Sequence, residues 1–436
     1  MKKVLFITYY WPPAGGAPMM RVLKLYQYLP EFGYEPIIVT TEGGDYPFVD
    51  ESLQEVVRPD TPVYRTSGFS LHKILKKLSP KAKKNFIPYG FTDDSGGSWI
   101  DRFSRWVKYN MIPDTRYPWR FGTVRKAIRI AKKHKVDLIF SSSPPQTNHI
   151  IARKVARKLK LPWIGDFRDP WTDVFWITSP QSLRLPLIQK LDRWLEKRTI
   201  ADMHAITTVS PSLVELFSKK TDLPIYQIPN GFDHVYFEHL QRVPSPYFTV
   251  FYGGSMSKEQ SPEPFFKAFK SLLEVNDSFS SKARMHFMGN FPPFLHQLVK
   301  AYELEDWVKW SPYAPMQESL QAMVNSDLLL LIVPKTPDNA GILTSKLFDY
   351  IGARRPILAI GPVEGDAAKV LQETRAGEMF DYEDTAAITD YLFNVFGKWQ
   401  QKIDLTIPWQ NVERYTRRNI AFQFARVFDS VLSLVT

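Results

Sequence analysis

Thirteen short apolar runs alternate with helix-length stretches from one end of this chain to the other, and that rhythm narrows the choice of fold more than any other feature. In the first half the runs are VLFITYY, PIIVTT, PVYRTS, DLIFSSS, WIGDF, AITTVS and IYQIPN. In the second they are FTVFYGG, ARMHFMGN, WVKWSPY, DLLLLIVP, PILAIG and GEMFDY. Strands that read as continuous apolar runs are buried on both faces, and intervening helices are the crossovers that parallel strands require. The expectation is α/β: two doubly wound, Rossmann-like domains, facing each other across a cleft at their strand tips. The pattern resets around Gln241–Tyr247, which places domain boundaries at 1–240 and 247–405, with a helical segment over 406–436. The alternation fails between Phe69 and Asp114, extending to about residue 120, where an insertion rich in lysine, glycine and aromatic residues is expected.

Ligands of such sheets bind beyond the carboxyl ends of the strands. Three flexible stretches fall there. Tyr10-Trp-Pro-Pro-Ala-Gly15-Gly16 follows the first strand, Gly253-Gly254-Ser255 follows the first strand of the second half, and Gly341-Ile342-Leu343-Thr344 opens a helix. Glycine turns ahead of a helix let main-chain amides approach an anion, and three together suit a diphosphate, although each alone is also an ordinary turn. None matches GxGxxG, which argues against a nicotinamide cofactor. Lys346 sits on the first turn of the third helix, where a cation is unfavourable unless an anion joins it. Asp349 lies one turn further on, placed either to accept ribose hydroxyls or to pair with Lys346. In the first half, Gly165-Asp166-Phe-Arg168-Asp169-Pro-Trp171 directs Asp166, Arg168 and Asp169 towards the strand tips; the same residues would equally make a loop-closing Asp–Arg pair. His149 follows Ser142-Ser143-Pro144-Pro145 and reads more readily as a helix N-terminal residue than as a catalyst.

The order YYWPPAGG, IPNGFD, VFYGGSM, GILTSKLFDYIGARRPIL resembles the retaining GT-B glycosyltransferases of family 4 over essentially the whole chain, including a C-terminal helix that in this family crosses back to the first domain. The resemblance implies transfer of a sugar from a UDP- or GDP-linked donor to an acceptor held by the N-terminal domain, with retention and without a metal or other cofactor. It further implies that Gly15, Gly16 and the Gly341, Ile342, Leu343 and Thr344 amides cradle the diphosphate, that Asp349 replaces the family's ribose-binding glutamate, and that Tyr313 and Ala314 lie against the base. Gly254 and Ser255 would adjoin the phosphates. Where the family carries an Arg and a Lys, this chain has Ser255 and Gln260, so Lys346, with Lys258 or Arg168, is expected to supply the positive charge. The second glutamate of the family falls on Gly341, leaving Asp338 or Asn339 to read the sugar. Asp169 or Asp166 would orient or deprotonate the acceptor. The spacing SKLFDYIG…RPILAI resembles a branch that builds bacterial surface polysaccharides on glycan or polyprenyl-linked acceptors.

Charge enters at this point. The net charge is +11, yet His72–Lys160 alone holds about 22 Lys/Arg against about 5 Asp/Glu, interleaved with Trp99, Trp106, Tyr109, Tyr117 and Trp119. Such a stretch suits an anionic membrane surface or a nucleic acid, while any single lysine, as in RKAIRIAKKHK, reads better as part of a solvated helical face; the expectation is a peripheral protein of the inner leaflet with no nucleic-acid partner. Zero cysteines sit comfortably with a cytoplasmic location and exclude thiolate metal sites. Two other readings stand beside this one: a GT-B-shaped nucleotide-sugar epimerase, which needs no acceptor surface, and a basic nucleic-acid-binding protein.

Overall fold

In the computed structural model, the residues described are 1–46, 49–67, 106–107, 109–178, 182 and 184–434. The expected basic insertion lies for its greater part outside the described residues. The chain divides into two compact units, Met1–Pro229 with Ile420–Thr436, and Asn230–Asn419.

The first unit is built on seven parallel strands: β1 (Lys2–Ile7), β2 (Tyr34–Glu42), β3 (Val63–Ser67), β4 (Leu138–Ser143), β5 (Trp163–Phe167), β6 (Ala205–Thr208) and β7 (Ile225–Gln227). Their order is β3-β2-β1-β4-β5-β6-β7, so the strand order reverses between β1 and β4. The helix Arg417–Ser433 closes this unit, with Ile420, Phe424, Phe428 and Val431 in the same buried core as Val4, Phe6 and Phe140. Tyr34 donates to Asp429 at 2.7 Å and fixes the helix against the sheet.

The second unit carries six parallel strands: β8 (Phe248–Gly253), β9 (Ala283–Met288), β10 (Val308–Ser311), β11 (Leu328–Ile332), β12 (Ile357–Ile360) and β13 (Gly377–Phe380), ordered β10-β9-β8-β11-β12-β13. The reversal falls between β8 and β11. The run LLLLI explains why this sheet lies between two layers. Leu328, Leu330 and Ile332 enter the core cluster on one face, and Leu329 and Leu331 enter that on the other.

All thirteen expected strands form, and both sheets are doubly wound. The stretch expected as a linker instead belongs to the second unit. Arg242 pairs with Asp327, the Val243 amide donates to Asn325 at 2.9 Å, and Gln321 donates to the Gln241 carbonyl at 2.8 Å. The C-terminal helical run is also interrupted, because the Phe232 amide takes the Tyr415 carbonyl and the Arg417 amide takes that of Phe232.

Candidate functional site

In the second unit the loops after β8, β9 and β11 meet at the point where the strand order reverses. Gly254 has φ of 95°, a left-handed conformation that side chains avoid, and a Cβ there would lie 3.0 Å from Lys346 Cε. Gly289, after β9, is closer still: its Cβ would stand 2.3 Å from the Gly254 carbonyl oxygen. These two glycines let the β8 and β9 tips approach each other and leave room for one lysine.

That lysine belongs to the helix Ser345–Ala353, with Thr344 as its N-cap. Its Nζ donates to the Tyr252 hydroxyl at 2.6 Å and to the Ser255 carbonyl at 2.7 Å, and lies 4.2 Å from the centre of the Tyr252 ring. No carboxylate pairs with it, so the Lys346–Asp349 pair left open by the spacing does not form. Part of the side chain still meets solvent, yet the surrounding protein excludes enough water to pull its pKa down to about 7. Asp349 has no hydrogen-bond partner among the described residues, and burial raises its pKa to about 6 against the opposing charge of Arg417.

The helix start differs in detail from expectation. Asn339–Gly341 forms a short 3-10 turn, and the Ile342 amide is spent on the Asn339 carbonyl at 3.1 Å. Of the expected set, Leu343 and Thr344 keep amides without an acceptor among the described residues, and Ser345 and Lys346 on the first helical turn add two more. The hydroxyls of Ser257, Thr336 and Thr344 are buried without partners, a set of orphans that a bound group or water must satisfy. Asn339 holds its own loop by donating to the Pro334 carbonyl and the Tyr382 hydroxyl, and Gln260 likewise donates to the Ile332 carbonyl at 2.9 Å. The Asn339 side-chain nitrogen is thus spent within its own loop. Tyr313 and Ala314 lie in the exposed loop after β10, with Tyr313 well exposed. Sequence reasoning missed Tyr252, because an aromatic residue inside VFYGG reads as core.

In the first unit Gly16 ends the loop after β1 and caps the helix Ala17–Tyr28. Arg21, on the next turn, is the residue the motifs did not single out. Its Nε and Nη2 donate to Asp166 at 3.0 and 2.9 Å, and Nη1 and Nη2 also reach the Pro229 and Ile228 carbonyls. Asp166 takes two further bonds, from Ser142 at 2.7 Å and Thr207 at 2.8 Å. Burial pushes its carboxyl up, but the Arg21 charge and these bonds outweigh it and hold the group below the usual carboxylate range. Asp166 is therefore corrected from a candidate base to one half of a buried ion pair. Arg168 is likewise a brace: its Nε and Nη2 donate to the Ser143 and Pro144 carbonyls at 2.9 and 2.6 Å, joining the β5 loop to the β4 loop. Asp169 alone of the three is exposed, with no hydrogen-bond partner among the described residues. His149 is fully buried between Ser141 and the Phe167 ring, and burial lowers its pKa to about 3, so it is neutral.

Three comparisons bear on this geometry. A family model, Glycosyltransferase Family 4, matches residues 82–236. Among solved structures, sucrose-phosphate synthase from Thermosynechococcus elongatus is similar over 100% of both chains, with 12% identity and a TM-score of 0.64. Anabaena HepE, solved in complex with UDP and glucose, is similar over 99% of this chain and 100% of its own, at 14% identity and a TM-score of 0.60. A Listeria monocytogenes protein described as a UDP-N-acetylglucosamine 2-epimerase is similar over 99% and 96% of the two chains, at 11% identity and a TM-score of 0.56. No curated protein matches the sequence. At such identities the structures speak to fold, and the family match is confined to part of the chain. The chain therefore has the two-domain GT-B fold of these structures, and residues 82–236 are similar to Glycosyltransferase Family 4.

Proposed function

We propose that the chain transfers a sugar from a UDP-linked donor to a glycan or lipid-linked acceptor, with retention of configuration and without a metal. The observation that carries the reading is the anion site of the second unit. Unfilled amides at the helix start, a lysine with no carboxylate partner among the described residues and a carboxylate without a hydrogen-bond partner one turn on meet where the strand order reverses. Helix amides and Lys346 suit the two phosphates, and Asp349 suits the ribose hydroxyls. HepE was solved with UDP, which makes UDP the first nucleotide to test. In the reaction the bond from the anomeric carbon to the diphosphate oxygen breaks and the bond to the acceptor oxygen forms on the same face. The acceptor proton passes to the departing diphosphate oxygen, with Asp169 orienting the hydroxyl. The building of bacterial surface polysaccharide at the inner leaflet fits an acceptor of this class; among the described residues no helix is long and apolar enough to cross a membrane.

Asp349→Ala is expected to weaken UDP binding by about 1–3 kcal/mol in calorimetry, the range for hydrogen bonds to a charged group. Unchanged affinity for both UDP and GDP would remove Asp349 from the site. Turnover is expected to persist in EDTA. Loss on chelation with rescue by Mg²⁺ or Mn²⁺ would overturn the metal-free mechanism. The epimerase alternative predicts conversion of a UDP-sugar with no acceptor present, so UDP release that requires an acceptor separates the two.

A further inference from the structure

The helix Pro186–Ile200 of the first unit is sorted the wrong way round for a helix that faces water. Its two carboxylates point inward. Asp192 accepts from Trp171 at 3.0 Å and pairs with Arg184, while Glu196 accepts from Thr172 at 2.5 Å and from Lys220 at 2.7 Å. Ile200 and Leu195 pack on the core, but three large apolar residues point outward: Leu187 is 66% exposed, Leu191 45% and Trp194 55%, and Leu185 just before the helix is 47% exposed. The numbers 187, 191, 194 and 198 share one helical face, and there Arg198 stands over the Trp194 ring at 5.0 Å. Lys190, Arg193 and Lys197 are exposed beside the stripe, so every exposed charge on this helix is positive.

A charged residue of either sign would solubilise this face, yet the carboxylates are buried at a cost in desolvation while Leu187 and Leu191 stay exposed. Two copies meeting through this face would bring like charges together. An apolar stripe edged by cations matches a surface that is apolar within and anionic at its boundary, where tryptophan rings settle and lysine stems can lie along the acyl chains with their heads in water. The exposed patch also continues beyond the helix. The Leu185 amide donates to Asn110 at 2.9 Å, and one turn before Asn110 stands Trp106, 46% exposed.

We propose that the outward stripe Leu187–Leu191–Trp194, with Lys190, Arg193, Lys197 and Arg198 beside it, seats the first unit on an anionic lipid bilayer. The stripe lies in the first unit alone, so the inference does not depend on the donor chemistry of the second. The test is sedimentation of the full chain with vesicles of phosphatidylcholine, with and without phosphatidylglycerol, at low and high salt. The expected result is binding to the anionic vesicles that falls with salt and drops about tenfold or more in Leu191→Glu/Trp194→Glu. Lys190→Glu/Lys197→Glu keeps the apolar stripe and is expected to lose the salt-sensitive part of the binding. Both variants alter exposed side chains and should melt as the parent does and bind UDP as before. Equal sedimentation with neutral and anionic vesicles overturns the proposal. So does anionic binding that both variants leave intact, which would place the contact elsewhere in the chain. Absence of vesicle binding together with a dimer that dissolves in Leu191→Glu/Trp194→Glu would identify the face as a self-interface instead.

Discussion

Replacing Asp166 with alanine is expected to cost about 3–5 kcal/mol of stability, the penalty for leaving one member of a buried ion pair uncompensated. For a unit of this size that lowers the melting temperature by on the order of 10 °C. The reason is the company the side chain keeps. Arg21 and Asp166 are 1% and 0% exposed, and their contacts join β4, β5, β6 and the helix Ala17–Tyr28 across the first sheet. Removing the carboxylate strands a guanidinium that stacks on Phe424 at 5.0 Å. Arg21→Met with Asp166→Leu removes both charges together and is expected to lie closer to the parent than either single change. The pH dependence has a definite sign. Because the folded carboxyl lies below its ordinary value of 3.8, the pair stabilises the fold above that value and the contribution is lost as pH falls through the folded pKa. A catalytic Asp166 predicts the reverse pattern: a variant with the parent's melting temperature and no turnover. That outcome would restore Asp166 to the reaction.

This pair also shows where sequence reasoning stops. The central strands were legible because they are apolar runs buried on two sides, a local signal, and the half-exposed edge strands β3, β7 and β10 from their place in the strand–helix rhythm. The glycine-rich loops beyond the strand ends drew attention to Lys346 and Asp349, whereas the reversal between β8 and β11 is set by strand pairing that no local run encodes. Partner choice is not local. Asp166 lies 145 residues from Arg21, and GDFRDP offers the nearer Arg168, which turns out to hold main-chain carbonyls instead. One cue was available: Arg21 interrupts the apolar run of MMRVLKLY, and an arginine on a buried helix face calls for a carboxylate somewhere. The helix start was misplaced because Gly341 reads as the opening of a helix, whereas the Ile342 amide is taken by the 3-10 turn that ends at that glycine. The outward leucines of Pro186–Ile200 were missed for a related reason. PLIQKLDRWLEKR has apolar residues enough for a core face, and nothing local tells which of them the sheet takes.

Lys346→Met is expected to lower turnover by about 10²–10³, or roughly 2.7–4 kcal/mol in the barrier, with a smaller change in the Michaelis constant. The asymmetry follows from where charge develops. The leaving diphosphate gains negative charge as the anomeric bond stretches, so a cation beside it stabilises the transition state more than the bound donor. In the free enzyme the ammonium is held down to about 7 by exclusion of water, so kcat/KM is expected to fall as pH rises through that value. Asp349, raised to about 6 by burial, sets the acid limb, because its protonated form accepts fewer ribose hydrogen bonds. The profile is thus a narrow bell, and Lys346→Met removes its alkaline limb while leaving the acid one. Stability moves the other way. A lysine whose folded pKa lies below its ordinary value of 10.5 destabilises the fold fully below about pH 7, and the penalty fades as pH rises towards 10.5. Lys346→Met is therefore expected to melt higher than the parent at pH 7 and to converge with it in alkali, a site residue kept for function at some expense of stability. A raised Michaelis constant with unchanged turnover would reassign Lys346 to uniform donor binding, and a lowered melting temperature at neutral pH would make its contacts with Tyr252 and Ser255 structural.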